Sequence, residues 1–157
     1  SDRPAGIILS RQDLRTIPRG EKFASAEGVA NGAYVVSEAD GDVKVILLAS
    51  GSEVELALAS QDALQAEGMP TRVVSMPCQE WFDEQTAEYR ESVLPAAVTA
   101  RVSVEAGISM GWAKYVGAAG ASVSIEHFGA SASGAKCFEE FGITAANVAD
   151  VARSVLA

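Results

Sequence analysis

The chain has 157 residues, enough for one domain with a core of its own and too many to depend on disulfide or metal staples. Hydrophobic residues make up 48% and charged residues 21%, the balance of a folded globular chain rather than a disordered one. Twelve basic against 21 acidic residues give a formal charge of −9 spread along the chain, which argues against nucleic acid or an acidic membrane surface as partner.

In chain order, Ile7-Ile8-Leu9-Ser10 predicts a short strand over 6–10 that ends at Arg11-Gln12. Residues 13–42 carry Pro18, Gly20, Gly28, Gly32 and Gly41 and read as a loop or linker with room for one short strand at Tyr34-Val35-Val36. Residues 43–49, Val-Lys-Val-Ile-Leu-Leu-Ala, form a nearly continuous apolar run suited to a strand buried on both faces. Ser50-Gly51-Ser52 turns the chain, and Ser52 with Glu55 three residues on predicts a capping box. Val54, Ala57, Leu58 and Leu64 mark the apolar face of the helix that follows, which Gly68 stops near Glu67.

The pattern then repeats. Residues 71–76 predict a second strand, closed by Pro77, and residues 78–95 read as short helical turns anchored by Trp81, Phe82 and Tyr89. A third strand is expected over 98–105, a short helix over 110–116, and a fourth strand over 121–126. A small helix over 132–140 and a last one over 145–156, capped by Thr144, complete the chain, the latter covering the sheet with Val148, Val151 and Val155. Alternating strands and helices with short turns predict an α/β fold, a three-layer sandwich around a mostly parallel sheet of about five strands. The strand over 6–10 stands apart, about thirty loosely patterned residues from the others, and reads as the last strand of a preceding unit.

Four constellations carry candidate chemistry. Gly51-Ser52-Glu53 sits where a strand meets a helix N-terminus, a place for an anion, but a cap on Ser52 and the charge of Glu53 favour a purely structural turn. Glu105 and Glu126 close neighbouring strands, the usual position of active residues in α/β sheets, yet no Ser/His or Cys/His set accompanies them. His127 is the sole histidine and lacks the further ligands a zinc site needs, so a loop or interface hydrogen bond is the favoured role. Arg11, beside Ser10 and Gln12, suits a bidentate grip on phosphate or carboxylate, against the alternative of an ordinary surface arginine.

What is missing weighs equally. There is no GxGxxG, no GxxxxGK[ST], and no Gly-Asp-Gly followed some thirty residues on by Asn-Asn. Cys78 and Cys137 form no CxxC or Cys/His cluster and read as small hydrophobes in a reducing, cytoplasmic setting, a single disulfide remaining open. No apolar run approaches the roughly 20 residues a membrane span needs. A chain opening Ser-Asp-Arg-Pro, without an initiator Met, reads as processed or cut from something longer.

LASGSEVELALA, EGMPTRVVSMP, YRESVLP, ARVSVEAG, SIEHFGASA and FEEFGITAANV, in that order, resemble the C-terminal part of bacterial transketolases, and the similarity extends to ILSRQ at the start. MPCQEWF and SIEHFG point to the actinobacterial members. The resemblance implies a thiamine diphosphate enzyme, with Mg or Ca, that moves a two-carbon ketol unit between phosphorylated sugars as a homodimer. It further implies that residues 1–20 are the tail of a pyrimidine-binding domain, 21–42 a linker and 43–157 the third domain, with one strand of its mixed sheet antiparallel. Arg11 would contact substrate phosphate in the complete enzyme, whereas His127 inherits no catalytic role, since similar members lack a histidine there. On this basis the chain by itself is expected to be inactive, to bind no cofactor and to partner the upstream domains. Its own role would be structural, interfacial or regulatory. The alternative is a module that binds a protein or a small ligand; a stand-alone hydrolase built on Glu105 or Glu126 lacks a nucleophile, a base and oxyanion donors in one place.

Overall fold

A computed structural model describes residues 4–156. Its elements are β1 (Tyr34–Ser37), β2 (Val45–Ala49), α1 (Glu53–Ala66), β3 (Thr71–Ser75), α2 (Gln79–Asp83), α3 (Ala87–Val93), β4 (Arg101–Val104), α4 (Ala113–Val116), β5 (Ala121–Val123), α5 (Gly134–Glu140) and α6 (Ala145–Leu156), with 3-10 turns at Ala26–Asn31 and Ser109–Gly111. The strands form one sheet in the order β1-β3-β2-β4-β5, parallel except for β1, which runs antiparallel along β3.

The residues of β2 explain why it lies at the centre. Val45, Leu47 and Ala49 point to one face and Ile46 and Leu48 to the other, and all five are completely buried. A strand apolar on every residue needs a cover on both sides, at roughly 1.5–3 kcal/mol for each large side chain removed from water. On the first face lie α1 and α6, through Val54, Ala57, Leu64, Val148 and Ala152. On the second lie Phe82, Val93, Trp112, Tyr115 and Val116, from α2, α3, α4 and the turn before α4. The two helices of the first face are also stitched together, because the Ser60 hydroxyl donates to the Leu56 and Ala145 carbonyls. This is the three-layer α/β architecture that the alternation of elements predicts.

Some details depart from expectation and others meet it. Residues 6–10 form no strand; they are an extended, exposed segment with Ile8 fully open to solvent. An apolar run forms a strand only in a ladder, and among the described residues nothing pairs with this one. Residues 34–37, where the stretch read as a loop or linker left room for one short strand, do form it, as the antiparallel edge strand of the sheet. Ser52 makes no capping bond, because its backbone is already helical (φ −65°, ψ −30°) and its hydroxyl turns to Glu53 Oε1 at 2.8 Å. The turn closes instead through Glu53 N–H to the Ser50 carbonyl, 3.1 Å. Strands β4 and β5 are also shorter than predicted, and Cys78 and Cys137 are free thiols.

Two residues fasten the loops to this frame. Arg101 at the start of β4 donates to four carbonyls: Nε to Val98 (2.8 Å), and the terminal nitrogens to Tyr115 (2.9 Å), Pro95 (2.8 Å) and Leu94 (3.2 Å). One guanidinium thereby holds the 94–98 loop and the body of α4 to the sheet. Gly32 turns the chain into β1 at φ +79° and lies so close to α2 that an added Cβ would sit 2.3 Å from the Phe82 nitrogen. Its carbonyl accepts the Cys78 N–H at 3.0 Å.

Replacing Arg101 with Ala strands four carbonyls and should destabilise the chain by about 2–4 kcal/mol in urea unfolding. Gly32→Ala meets both backbone strain and a clash, and a loss of about 2 kcal/mol or more is expected in the same assay. An unchanged urea midpoint for either variant would contradict the fastening role.

Candidate functional site

From β2 the chain passes through α1 to β3 on one side, then through α2 and α3 across the sheet to β4 on the other side of β2. The strand order therefore reverses between β2 and β4, and a crevice opens at their carboxyl ends, where α/β proteins commonly place a ligand. Ser50, Gly51 and Ser52 follow β2 there, and Glu105 follows β4. The Ser50 hydroxyl donates to Glu105 Oε2 at 3.2 Å and bridges the crevice.

Glu53, which the sequence pattern marks only as a charge on a helix N-terminus, is buried at 5% exposure at the base of this turn. Burial pushes its carboxyl above the ordinary glutamate range; the bond from Ser52 opposes that, and the neighbouring charge of Glu105 adds to it. Two carboxylates with two serine hydroxyls thus occupy the position where a phosphate would sit, and Glu53 itself takes up the positive end of α1. An anionic ligand meets repulsion here. A cation finds too few ligands, since no group of three or more His, Cys, Asp or Glu residues is placed to hold a metal among the described residues. The donor set consequently does not fit a diphosphate–metal cofactor.

Glu126 and Glu105 have separate hydrogen-bond partners. It lies beyond the end of β5, where its Oε1 accepts the Ser109 N–H (2.8 Å) and the Ser124 hydroxyl (2.9 Å). Those bonds, from Ser109 first and then Ser124, hold its carboxyl below the usual range. Its work is to pin the 105–111 loop to the tail of β5, beside the Ile125 N–H to Gly107 carbonyl bond of 2.8 Å. His127 sits next to it with Nδ1 2.7 Å from the Phe128 carbonyl and its ring edge-on to Phe141 at 4.8 Å. Both contacts are local to this end of the domain. Arg11 lies on the exposed N-terminal segment, outside the sheet, and no bond links it to Glu105, Glu126 or His127 among the described residues.

Elsewhere, a cleft of about 470 Å³ beside the end of β1 is lined by Glu21, Glu38, Asp40 and Asp62, and its polar groups already pair: Lys22 with Asp62, and Gln65 with Asp40. A groove of about 390 Å³ follows the outer edge of β5 past Gly117, Gly120 and Ser122. In the second, the Ser124 hydroxyl is already bonded to the Glu126 carboxylate.

Comparison with known proteins matches the sequence and the fold to one family. The model of the Transketolase-like TK C-terminal domain matches residues 32–144. The chain is 54% identical over 155 residues to a transketolase of Streptococcus pyogenes and 51% identical over 155 residues to Transketolase 1 of Escherichia coli. It aligns over 99% of its own length in both cases, yet spans only 21% and 23% of theirs. Among solved structures, transketolase from Leishmania mexicana superposes with a TM-score of 0.78 at 47% identity, covering 85% of this chain and 19% of that one. A transketolase mutant from Pichia stipitis gives 0.82 at 34% identity, covering 93% and 20%. The chain belongs to the transketolase C-terminal domain family.

Proposed function

We propose that this chain is the carboxyl-terminal part of a thiamine diphosphate-dependent transketolase, inactive by itself, and acts in it as a structural and interfacial domain. The observation that carries the reading is continuous similarity along 99% of the chain to about a fifth of each relative. The crevice supports it, because the carboxylates of Glu53 and Glu105 stand where a diphosphate would have to bind. In this reading the cofactor, its divalent cation and the proton-transferring groups belong to other domains of a homodimeric cytoplasmic enzyme. Residues 1–20 belong to the preceding pyrimidine-binding domain, residues 21–42 lead out of it, and 43–157 make up the third domain. The exposed placement of residues 6–10 is in keeping with a segment whose ladder is completed by another domain.

Arg11 is then the one residue of this chain that reaches substrate, as a guanidinium on a sugar phosphate. Grafting residues 1–157 in place of the matching segment of the Escherichia coli enzyme tests this directly. The grafted enzyme should transfer ketol units while the isolated chain does not. Arg11→Ala in the graft should raise KM for a phosphorylated acceptor by about tenfold to a hundredfold, the value of one charge-assisted hydrogen bond, and leave a non-phosphorylated acceptor unaffected. A graft without activity, or a KM for phosphorylated acceptor that Arg11→Ala does not change, would refute the reading.

The crevice yields a second prediction, through linkage. The folded chain holds the Glu53 proton more tightly than the unfolded chain does. Ionisation therefore costs stability as pH rises from the ordinary glutamate value through the raised one, and the cost is complete above it. Glu53→Gln removes that cost and still accepts the Ser52 hydroxyl. The variant should match the parent in thermal midpoint near about pH 4 and melt higher at about pH 7; a lower midpoint at neutral pH would mean that the carboxylate is favourable where it stands.

A further inference from the structure

One edge of the sheet is left unmade. On its inner side β5 is bonded to β4: the Val123 carbonyl accepts the Glu105 N–H at 3.0 Å, and just beyond, the Ile125 N–H donates to the Gly107 carbonyl at 2.8 Å. Backbone groups alternate in direction along a strand, so the N–H and C=O of Ser122 and Ser124 face away from the sheet. They open on the groove of about 390 Å³ beside α4, whose wall is mostly small residues, among them Ala113, Gly117, Gly120 and Ser122. Of the described residues lining that groove, Glu126 alone is charged. It is exposed, and its bonds from Ser109 and Ser124 both end on Oε1, which leaves Oε2 for another partner.

The same chain carries an apolar run without a ladder. Ile7, Ile8 and Leu9 are exposed at 84%, 100% and 81%, in a segment that pairs with nothing among the described residues. Residues 4–12 hold a single charge, Arg11. The chain is next fastened to the domain at Ile17, which packs on the core of the first face, and at Arg19, which donates to the Ala24 carbonyl at 2.9 Å. The six residues between, 11–16, reach about 20 Å when extended, enough to hand the apolar run to a neighbouring molecule.

We infer that the outer edge of β5 accepts residues 6–10 of a second copy of this chain as an added parallel strand. An edge of three residues is too short to recruit strands indiscriminately, and the charge beside it selects this one. With Ile8 opposite Val123, Arg11 falls opposite Glu126 on the same face, and Ile7 and Leu9 stand over the groove opposite Ser122 and Ser124. Sliding the segment by two residues sets Leu9 or Asp13 opposite Glu126 instead, and reversing it about Ile8 sets Ala5 there. In the chosen register the Ile8 N–H donates to the Ser122 carbonyl, and the Ser124 N–H donates to the Ile8 carbonyl. Each copy holds one such strand and one such edge, so the contact is head-to-tail and builds rings or chains. The inference does not depend on the ketol-transfer reading: where another domain completes the ladder of residues 6–10, the β5 edge stays free and only the 157-residue chain associates.

Sedimentation equilibrium of the 157-residue chain tests this, over concentrations from about 10 μM to about 1 mM. The average mass should rise above 16.3 kDa as concentration increases. Two proline variants then separate a ladder from mere apolar clustering, since each replaces one isoleucine. Ile8→Pro removes the N–H aimed at Ser122 and should weaken association at least about tenfold; Ile7→Pro removes an N–H that faces outward and should leave it within about threefold. Arg11→Glu should weaken association by about tenfold or more at low salt. All three positions are exposed, so the fold of the single copy is left intact. A mass fixed at 16.3 kDa across the range would overturn the proposal. Equal weakening by the two prolines would overturn it as well, by assigning the association to apolar clustering, and so would association that Arg11→Glu leaves unchanged.

Discussion

Five consecutive side chains, Val45 to Ala49, are removed from water on both faces of the sheet, and this double burial dictates the layers around them. A strand with no polar face cannot be an edge and cannot be left open on one side. It therefore recruits β3 and β4 as neighbours, α1 and α6 above, and the shorter helices α2, α3 and α4 below. The sheet's exposed edges fall to β1 and β5, the first antiparallel and bulged, the second three residues long. Both are poor templates for uncontrolled strand addition.

The same arrangement creates the crevice between β2 and β4, and the side chains there decide what it can be. Fold geometry alone would suggest a phosphate site, with a glycine turn, two serines and a helix start. Glu53 reverses that expectation. Its carboxylate occupies the end of α1, and Ser50 spends its hydroxyl on Glu105 across the gap. The chemistry of the pocket is thus satisfied internally, and exposed apolar side chains, Met110 and Phe128 among them, stand on loops at the same end of the sheet. Such a surface suits contact between domains better than capture of a small anion.

Much of this was legible in the residues. The unbroken apolar run at 45–49, the heptad-like face of α6 and the glycine stop after α1 each report a local preference that packing reinforces, and β3 falls where its β-branched residues put it. The failures are instructive in physical terms. An Ser-x-x-Glu pattern names a capping box, but capping needs an extended backbone at Ser52, and the turn after β2 delivers a helical one. Residues 7–9 are apolar enough for a strand, but apolarity does not specify the ladder that would complete it. Arg101 gave no signal, because four backbone carbonyls from separate loops converge on it only after folding. Glu105 directly follows β4 but Glu126 lies beyond the shortened β5, and their separate partners, Ser50 for one and Ser109 with Ser124 for the other, are tertiary facts. Trp81 reads as an anchor of the turns over 78–95, yet it is exposed once the chain closes.

The central claim is that this domain contributes structure and surface rather than cofactor chemistry, and the crevice is where it can fail. Amide correlation spectra of the isolated chain, recorded during titration with thiamine diphosphate and Mg, read Gly51, Ser52, Glu53 and Glu105 individually. The account predicts no saturable shift at these amides. A saturable shift confined to them would contradict it and would make the space between β2 and β4 a binding site in its own right.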